Sequence, residues 1–248
     1  MARSQAMKRR RVKRPRFHSA IALLPNELVI QVLGRVAAAS HTDLFNAKLS
    51  CKLFHEVSDD TYVYQQVSLE RFPVVPWPTS EQASSFFEKC KECGNPEALY
   101  RQGLIEYFDH MRLELGLQCI KRAANLGHVE ASYILGIILL CSGEEFRQQA
   151  IQLLDSIRNS RVTKVGECRK KLKATLRGMW VMNKLNPKQK PMECKMRDQH
   201  KRTKGWSTED DDDLHCQACG FDCEVGASYF GMGKPVAQTP LTGLTASP

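Results

Sequence analysis

The residues best suited to chemistry are cysteines near the end of the 248-residue chain. Cys216 and Cys219 stand at Cys-x-x-Cys spacing, and Cys223 follows shortly after. Two thiolates at this spacing can occupy two of the four tetrahedral positions around zinc. Cys194 is the leading candidate for the fourth ligand, with His200 behind it. The pattern therefore predicts a structural zinc ion on Cys194, Cys216, Cys219 and Cys223, with reduced, metal-free thiols as the alternative.

The other cysteines favour packing over chemistry. Cys90 and Cys93 fall on one face of a helical stretch, where packing explains them without a metal. No cysteine has the adjacent base that would make it a nucleophile, so we expect no enzyme activity and no required cofactor. Ten cysteines without a secretory signal indicate a reducing compartment. Four more are expected to act as small hydrophobic residues in helices: Cys51, Cys119, Cys141 and Cys168.

Residues 1–17 form a basic arm for which we expect disorder. The arm contains no Asp or Glu, and without its eight basic residues the net charge falls from +9 to +1. Its composition predicts nuclear localisation, with a cytoplasmic pool besides; contact with phosphates and a tail without a role are the alternatives. No aromatic residue interrupts the basic cluster, which argues against recognition of nucleic-acid sequence. The localisation residues would be Lys8, Arg9, Arg10, Arg11, Lys13, Arg14 and Arg16.

The elements that would present a binding surface begin after the arm, in a helical pattern over residues 20–72. Pro25 suits the first turn of a helix, and Leu28, Val32 and Val36 then recur at helical spacing. Ser40 can cap a second helix. Some 50 residues of short helices cannot enclose all of these apolar side chains, so part of the face should remain open to a partner. The alternative is that the same residues are core positions of a self-contained domain.

The motifs in this stretch resemble the F-box. The sequence reads Leu-Pro-x-Glu-Leu-Val from Leu24, followed in register by Asp43-Leu44 and Cys51-Lys52-x-Phe54. Phe54 and Leu53 depart from the common tryptophan and arginine, and residues 37–42 replace the usual proline-containing turn. The resemblance implies a small helical domain that inserts into a Skp1-like adaptor. The adaptor-binding residues would be Leu24, Pro25, Glu27, Leu28, Val32, Leu33, Val36, Leu44, Leu49, Cys51, Lys52, Phe54 and Val57.

A second helical region contains a repeat with an offset of 33 residues. The matching pairs are Glu97 and Glu130, Ala98 and Ala131, Tyr100 and Tyr133, Gly103 and Gly136. A helical hairpin of about this period is typical of tetratricopeptide-like solenoids, and the small residues predict close contact between helices. The run from Ala123 to Ala131 resembles the Sel1-like repeat. An F-box followed by such repeats resembles a group of plant F-box proteins.

One full repeat and a degraded second one, at 149–159, can be read from the sequence. Since about three units are needed for stability, helices at 80–93 and 160–182 are expected to cap the stack. Their inner-face residues would be Phe86, Phe87, Leu176 and Trp180. The repeats could offer a concave surface for a target, or they could serve only as a scaffold.

The predicted fold is all-α, because no run of residues reads as a β-strand. The F-box domain covers residues 20–72, a proline-rich linker 73–78, and the repeat domain 79–183. Residues 184–230 form a mixed basic and acidic segment with the cysteine cluster, and residues 231–248 a tail expected to be disordered. The most apolar run, Tyr133 to Cys141, is too short to span a membrane, so no membrane partner is expected.

The predicted function is that of a substrate-receptor subunit in a Skp1–cullin–F-box ubiquitin ligase. The chain would bind a Skp1-like adaptor, through it the cullin, and an unknown protein target. The alternative is a nuclear zinc-containing scaffold or nucleic-acid-associated protein that uses the F-box-like helices for another contact. Loss of adaptor capture on changing Leu24 and Pro25 would separate the two.

Overall fold

A computed structural model describes residues 20–72, 80–159, 165–179, 181, 182 and 185. These residues form helices and the turns between them, with no β-strand among them. The predicted all-α fold is therefore confirmed. The described helices divide into an N-terminal unit, residues 20–72, and a repeat unit, residues 80–185.

The N-terminal unit contains a short 3-10 helix and four α-helices. The 3-10 helix covers Ala20–Leu23. The α-helices are α1 (Asn26–Ala39), α2 (His41–Ser50), α3 (Lys52–Val57) and α4 (Thr61–Gln66). Two predicted features set the helix starts: Pro25 occupies the N-cap of α1, and the Ser40 hydroxyl accepts a 3.2 Å hydrogen bond from the amide of Asp43.

The core of the N-terminal unit lies under one row of α1. Val29, Leu33 and Ala37 recur every fourth residue and are buried. The helix crosses α4 at Gly34, where a Cβ atom would lie 2.7 Å from Cε1 of Tyr62. Any larger residue at Gly34 would therefore have to displace the Tyr62 ring from its present position.

The repeat unit contains six α-helices. They are α5 (Glu81–Glu92), α6 (Pro96–Leu104), α7 (Leu113–Asn125), α8 (Val129–Ser142), α9 (Arg147–Arg158) and α10 (Val165–Arg177). A π-helical turn at Ile105–Asp109 continues α6, and a 3-10 turn at Glu144–Phe146 precedes α9.

The 33-residue period is visible in the turns between helices. Gly94 and Gly127 have φ angles of +83° and +86°, and each ends a helix. In both turns the next amide bonds back to the helix, from Asn95 to the carbonyl of Cys90 at 2.9 Å and from His128 to that of Ala123 at 3.1 Å. The same two residues, Asn95 and His128, cap the helices that follow. Helix α5 therefore stands in the register of the second helix of a repeat, a relation that the sequence did not reveal.

The glycines predicted to allow close packing do lie at close helix contacts. A Cβ on Gly103 would be 2.6 Å from Cγ1 of Ile120, and one on Gly136 would be 2.8 Å from Cγ of Leu154. Each contact joins the two helices of one hairpin, α6 with α7 and α8 with α9. The prediction of close helix contact is confirmed at both positions.

Helix α8 lies at the centre of the repeat unit. Every residue from Tyr133 to Cys141 is buried, since α7, α9 and α10 all pack against this helix. The predicted inner-face residue Leu176 of α10 belongs to the same core, as does Leu185. A helix that is apolar all round must be enclosed by protein, which explains the apolar run in the sequence.

Two aromatic residues expected inside the repeat stack lie elsewhere. Phe86 and Phe87 of α5 pack against the core of the N-terminal unit, which also includes Cys90 and Ala98. Phe86 lies 5.2 Å from the ring of Phe45. The expectation for these two residues was wrong, because α5 turns this apolar side toward the N-terminal unit. The predicted linker at 73–78 and Trp180 lie outside the described residues.

Candidate protein-interaction surface

The exposed large apolar residues among those described include Leu28 and Val32 of α1 and Leu24, which lies two residues before the helix. Leu24, Leu28 and Val32 follow one another at four-residue spacing and are 42%, 45% and 51% exposed. They lie beside the buried row of Val29 and Leu33, so the broad apolar face predicted for α1 is divided between core and surface. We call these three residues the α1 face. Large apolar side chains gathered on one exposed helix face indicate a site for another protein.

Helix α2 adds a second exposed apolar pair. Leu49 is 84% exposed, and Phe45 lies one turn before it and is also exposed. Phe45 was absent from the predicted site residues, although its four-residue spacing from Leu49 was a readable signal. We call Phe45 and Leu49 the α2 pair. Leu49 turns outward because α2 uses Leu44 as its contact with the core, whereas Phe45 is 40% exposed and also packs on Phe86 of α5.

The remaining predicted adaptor-binding residues fall into three groups. Pro25, Glu27, Cys51 and Lys52 are exposed. Val36 and Phe54 are half-buried. Leu33, Leu44 and Val57 are buried in the core of the N-terminal unit, so in this structure they support the surface from beneath.

A buried asparagine joins the N-terminal unit to the repeat unit. The side-chain amide of Asn95 donates hydrogen bonds to the carbonyls of Tyr64, Gln65 and Val67, at 3.0, 3.1 and 2.8 Å. Its side-chain oxygen accepts a 3.1 Å bond from the amide of Ala98 and so caps α6. One side chain therefore satisfies the end of α4 and the start of α6 together. Its position in a repeat turn did not indicate this role.

An ionic chain continues the junction into the next repeat. The buried guanidinium of Arg101 donates to the carbonyls of Leu69 and Phe72, each at 3.0 Å. The same group pairs with Glu97, whose other oxygen lies 2.6 Å from Nε2 of His128. Burial raises the pKa of Glu97, but the hydrogen bond from His128 and the charge of Arg101 outweigh it and lower the pKa to about 2. The carboxylate thus links both repeats to the N-terminal unit.

The described cysteines mostly pack as small apolar residues, as predicted for Cys119, Cys141 and Cys168. Burial raises the pKa of Cys90 and of Cys141 to about 12, which disfavours the thiolate that a nucleophile needs. Cys51 differs from its prediction as a packed residue: it is exposed, because it lies at the turn between α2 and α3.

Several predicted features lie outside the described residues. These are the basic arm of residues 1–17, with its localisation residues, and the zinc ligands Cys194, Cys216, Cys219 and Cys223. Both stay predictions. Within the described part of the chain, no three metal-binding side chains come together. None of the described helices combines the length and apolar character needed to cross a membrane.

Two family models match the chain in the same order as the two units. The F-box-like family matches residues 21–70, which cover nearly the whole N-terminal unit. The family of plant tetratrico peptide repeats matches residues 69–177, from the end of that unit through α10. No solved structure matches the chain.

Proteins of Arabidopsis thaliana are similar in sequence. The protein At1g67623, named as an F-box protein, is 32% identical over 161 residues, which are 63% of this chain and 54% of the relative. F-box protein At2g35280 is 30% identical over 50% of this chain and 76% of its own length. F-box protein At1g67340 is 27% identical over 46% of this chain and 31% of the relative. The chain thus spans about half the length of At1g67623 and most of At2g35280.

Proposed function

Because the chain belongs to the F-box proteins, we propose that it is a substrate-receptor subunit of a Skp1–cullin–F-box ubiquitin ligase. The α1 face and the α2 pair would bind a Skp1-like adaptor. The repeat unit would hold a protein target close to the ligase. The chain itself would act by proximity, since an intramolecular arrangement raises the effective concentration of target and transferase.

The observation that carries the proposal is the exposed α1 face. The chain gains free energy when a partner removes the side chains of Leu24, Leu28 and Val32 from water. Complete burial of a leucine or valine side chain from full exposure contributes roughly 1.5–3 kcal/mol, so each half-exposed residue of the α1 face would contribute roughly half as much. Three such residues and Leu49 could supply much of the affinity of a standard interface, in which a few apolar anchors dominate.

The junction between the two units supports a receptor that holds its target at a fixed position relative to the adaptor. Asn95 and Arg101 are both buried and bind five backbone carbonyls of the N-terminal unit between them. Hydrogen bonds of this number, made to buried groups, fix the repeat unit relative to the α1 face. A target on the repeat unit would therefore sit at a defined distance from the adaptor.

The test is binding of a purified Skp1-type adaptor to the full chain. We expect Leu28→Asp with Val32→Asp to weaken binding by about 100-fold or more, because two apolar anchors would become charged within the interface. Calorimetry would give the affinity, and circular dichroism would check that the helices remain.

A matched control changes two exposed leucines of the repeat unit. Leu115→Asp with Leu126→Asp adds the same charge at residues that are 42% and 55% exposed. We expect adaptor binding to be unchanged in this variant. If the native chain fails to bind any such adaptor, or if both double variants lose binding equally, the proposed function is wrong.

A further inference from the structure

Helix α10 is the most basic helix among those described. It carries five basic residues and one acidic residue: Arg169, Lys170, Lys171, Lys173 and Arg177, with Glu167. Helix α6, the first helix of one repeat, carries one basic and one acidic residue. Helix α8, the first helix of the next repeat, carries a single acidic residue. Among the described helices of the repeat unit, positive charge is therefore concentrated in α10, at the C-terminal end.

Three of these basic residues share one side of the helix. Lys170, Lys173 and Arg177 stand at positions i, i+3 and i+7, which an α-helix places on one face over about 10 Å. The apolar row of Cys168, Leu172 and Leu176 is buried, so it turns the basic face away from the core. We call the three residues the α10 stripe.

No acidic residue in the described part of the chain forms an ion pair with the α10 stripe. A different basic residue of this helix, Lys171, donates a hydrogen bond to the carboxylate of Glu130 in α8 at 2.5 Å. Glu130 is therefore already paired with Lys171, and its other oxygen lies 3.7 Å from Nδ1 of His128. Lys170 and Arg177 are exposed and Lys173 is half-buried, and none of the three is paired with an acid among the described residues.

Helices α6 and α8, the first helices of the two repeats, offer little polar surface to a partner. The residues of α8 from Tyr133 to Cys141 are buried, and α6 buries all but its first turn and Gln102. Helix α10, by contrast, keeps a polar face open.

We propose that the α10 stripe binds an acidic segment of the target protein. This inference rests on the proposed function and names the class of target. Three cations along about 10 Å match carboxylates spaced a few residues apart in an extended peptide, which rises about 3.3 Å per residue. The helix contributes no aromatic side chain for stacking on bases, so a protein segment fits better than a nucleic acid.

The experiment measures binding of a labelled peptide rich in Asp and Glu to the full chain by fluorescence anisotropy, at about 0.15 M salt. A peptide with Asn and Gln in their place serves as the neutral probe. We expect Lys170→Gln with Lys173→Gln to weaken acidic-peptide binding about fivefold to tenfold, since two interface charge pairs are lost. The variant Lys170→Glu with Lys173→Glu should instead bind a peptide rich in Lys.

Two control variants remove the same charge elsewhere. Lys121→Gln with Arg122→Gln alters α7, and Arg9→Gln with Arg10→Gln alters the N-terminal arm. If either control variant weakened acidic-peptide binding as much as the stripe variant does, the peptide would be responding to the net charge of the chain, and the inference would be overturned. Preference of the stripe for single-stranded RNA over the peptide would also overturn it, in favour of nucleic acid.

A third outcome concerns the acidic run at 209–213 of the chain itself. Peptide binding that appears only after Asp210, Asp211, Asp212 and Asp213 are changed to Asn would assign the stripe to that run instead of a target. Adaptor binding is measured in the same samples. If neither the native chain nor the Asn variant binds the acidic peptide while adaptor binding is intact, this inference alone is refuted, whereas failure of the native chain to bind the adaptor refutes the proposed function.

Discussion

The N-terminal unit and the repeat unit are both built from short amphipathic helices, yet they complete their apolar faces differently. Among the residues that the structure describes, the N-terminal unit leaves eight large apolar residues exposed, against four in the longer repeat unit. In α1 the row of Leu28 and Val32 is open, whereas in α8 all residues from Tyr133 to Cys141 are closed. Both helices contact three others, α1 with α2, α3 and α4 and α8 with α7, α9 and α10. The difference is that the neighbours of α1 leave one side of the helix uncovered.

This contrast separates two kinds of apolar residue that look alike in the sequence. A buried residue such as Ile134 contributes to the free energy of folding within the chain. An exposed residue such as Val32 contributes little to folding and is available to the free energy of association. Substitutions of equal size in the two units should therefore change different measured quantities.

The largest effect is expected from Ile134→Ala in α8. The side chain is fully buried at the centre of the repeat core. Its truncation should lower the free energy of unfolding by about 2–5 kcal/mol, because the enclosed site leaves a cavity. Urea denaturation followed by circular dichroism measures this.

The paired substitution is Val32→Ala on the α1 face. Since this side chain is 51% exposed, we expect a change in unfolding free energy within about 0.5 kcal/mol. Similar losses of stability in the two variants would contradict the distinction between open and closed faces.

The sequence predicted much of this contrast. The four-residue spacing of α1, the Ser40 cap and the small residues at Gly103 and Gly136 all act locally, so helices and their contacts could be read from them. The period of 33 residues likewise located α6 and α8. Local patterns of this kind need no knowledge of distant neighbours.

Distant packing was beyond the reach of these patterns. The spacing of α1 marked a broad apolar face, but which half is buried depends on where α4 crosses it. Phe86 and Phe87 were placed in the wrong core for the same reason, since α5 contacts the N-terminal unit. The roles of Asn95 and Arg101 depend on carbonyls about 30 residues away in sequence.

An intermediate effect is expected where the two units meet. Asn95→Ala would leave the carbonyls of Tyr64, Gln65 and Val67 without their donor and would remove the cap of α6. We expect a loss of about 2–3 kcal/mol in unfolding free energy. Faster amide hydrogen exchange should appear in α4 and α6 together, measured by mass spectrometry.

The matched control for the junction is Asn125→Ala, at the exposed end of α7. Alanine favours helix at such a site, so stability should stay the same or rise slightly. If Asn95→Ala affected exchange in α6 but not in α4, the two units would be independent, and the junction could not transmit position.

A smaller loss of stability than at the junction is expected when low pH protonates Glu97, the carboxylate of the ionic chain. The partners of Glu97 lower its pKa from 4.5 to about 2, so its ionised form stabilises the fold. A lowered pKa means that this contribution is complete above about pH 4.5 and is lost as the pH falls toward 2. Because the side chain is 30% exposed, we expect only roughly 1–2 kcal/mol. The difference in unfolding free energy between Glu97→Gln and the native chain should therefore be largest at pH 7, shrink below about pH 4.5 and vanish only at about pH 2.

A double-mutant cycle assigns this effect to the contact between the repeats. Asparagine caps α6 at Asn95, so His128→Asn should keep the equivalent cap of α8 while removing the 2.6 Å bond to Glu97. If the bond links the repeats, the two substitutions together should cost less than their sum at pH 7, by about 1 kcal/mol, and this coupling should shrink as the pH falls toward 2. A large cost of His128→Asn with no coupling at pH 7 would mean that packing of His128 on Tyr100, whose rings lie 4.6 Å apart, holds the repeats together instead of the carboxylate.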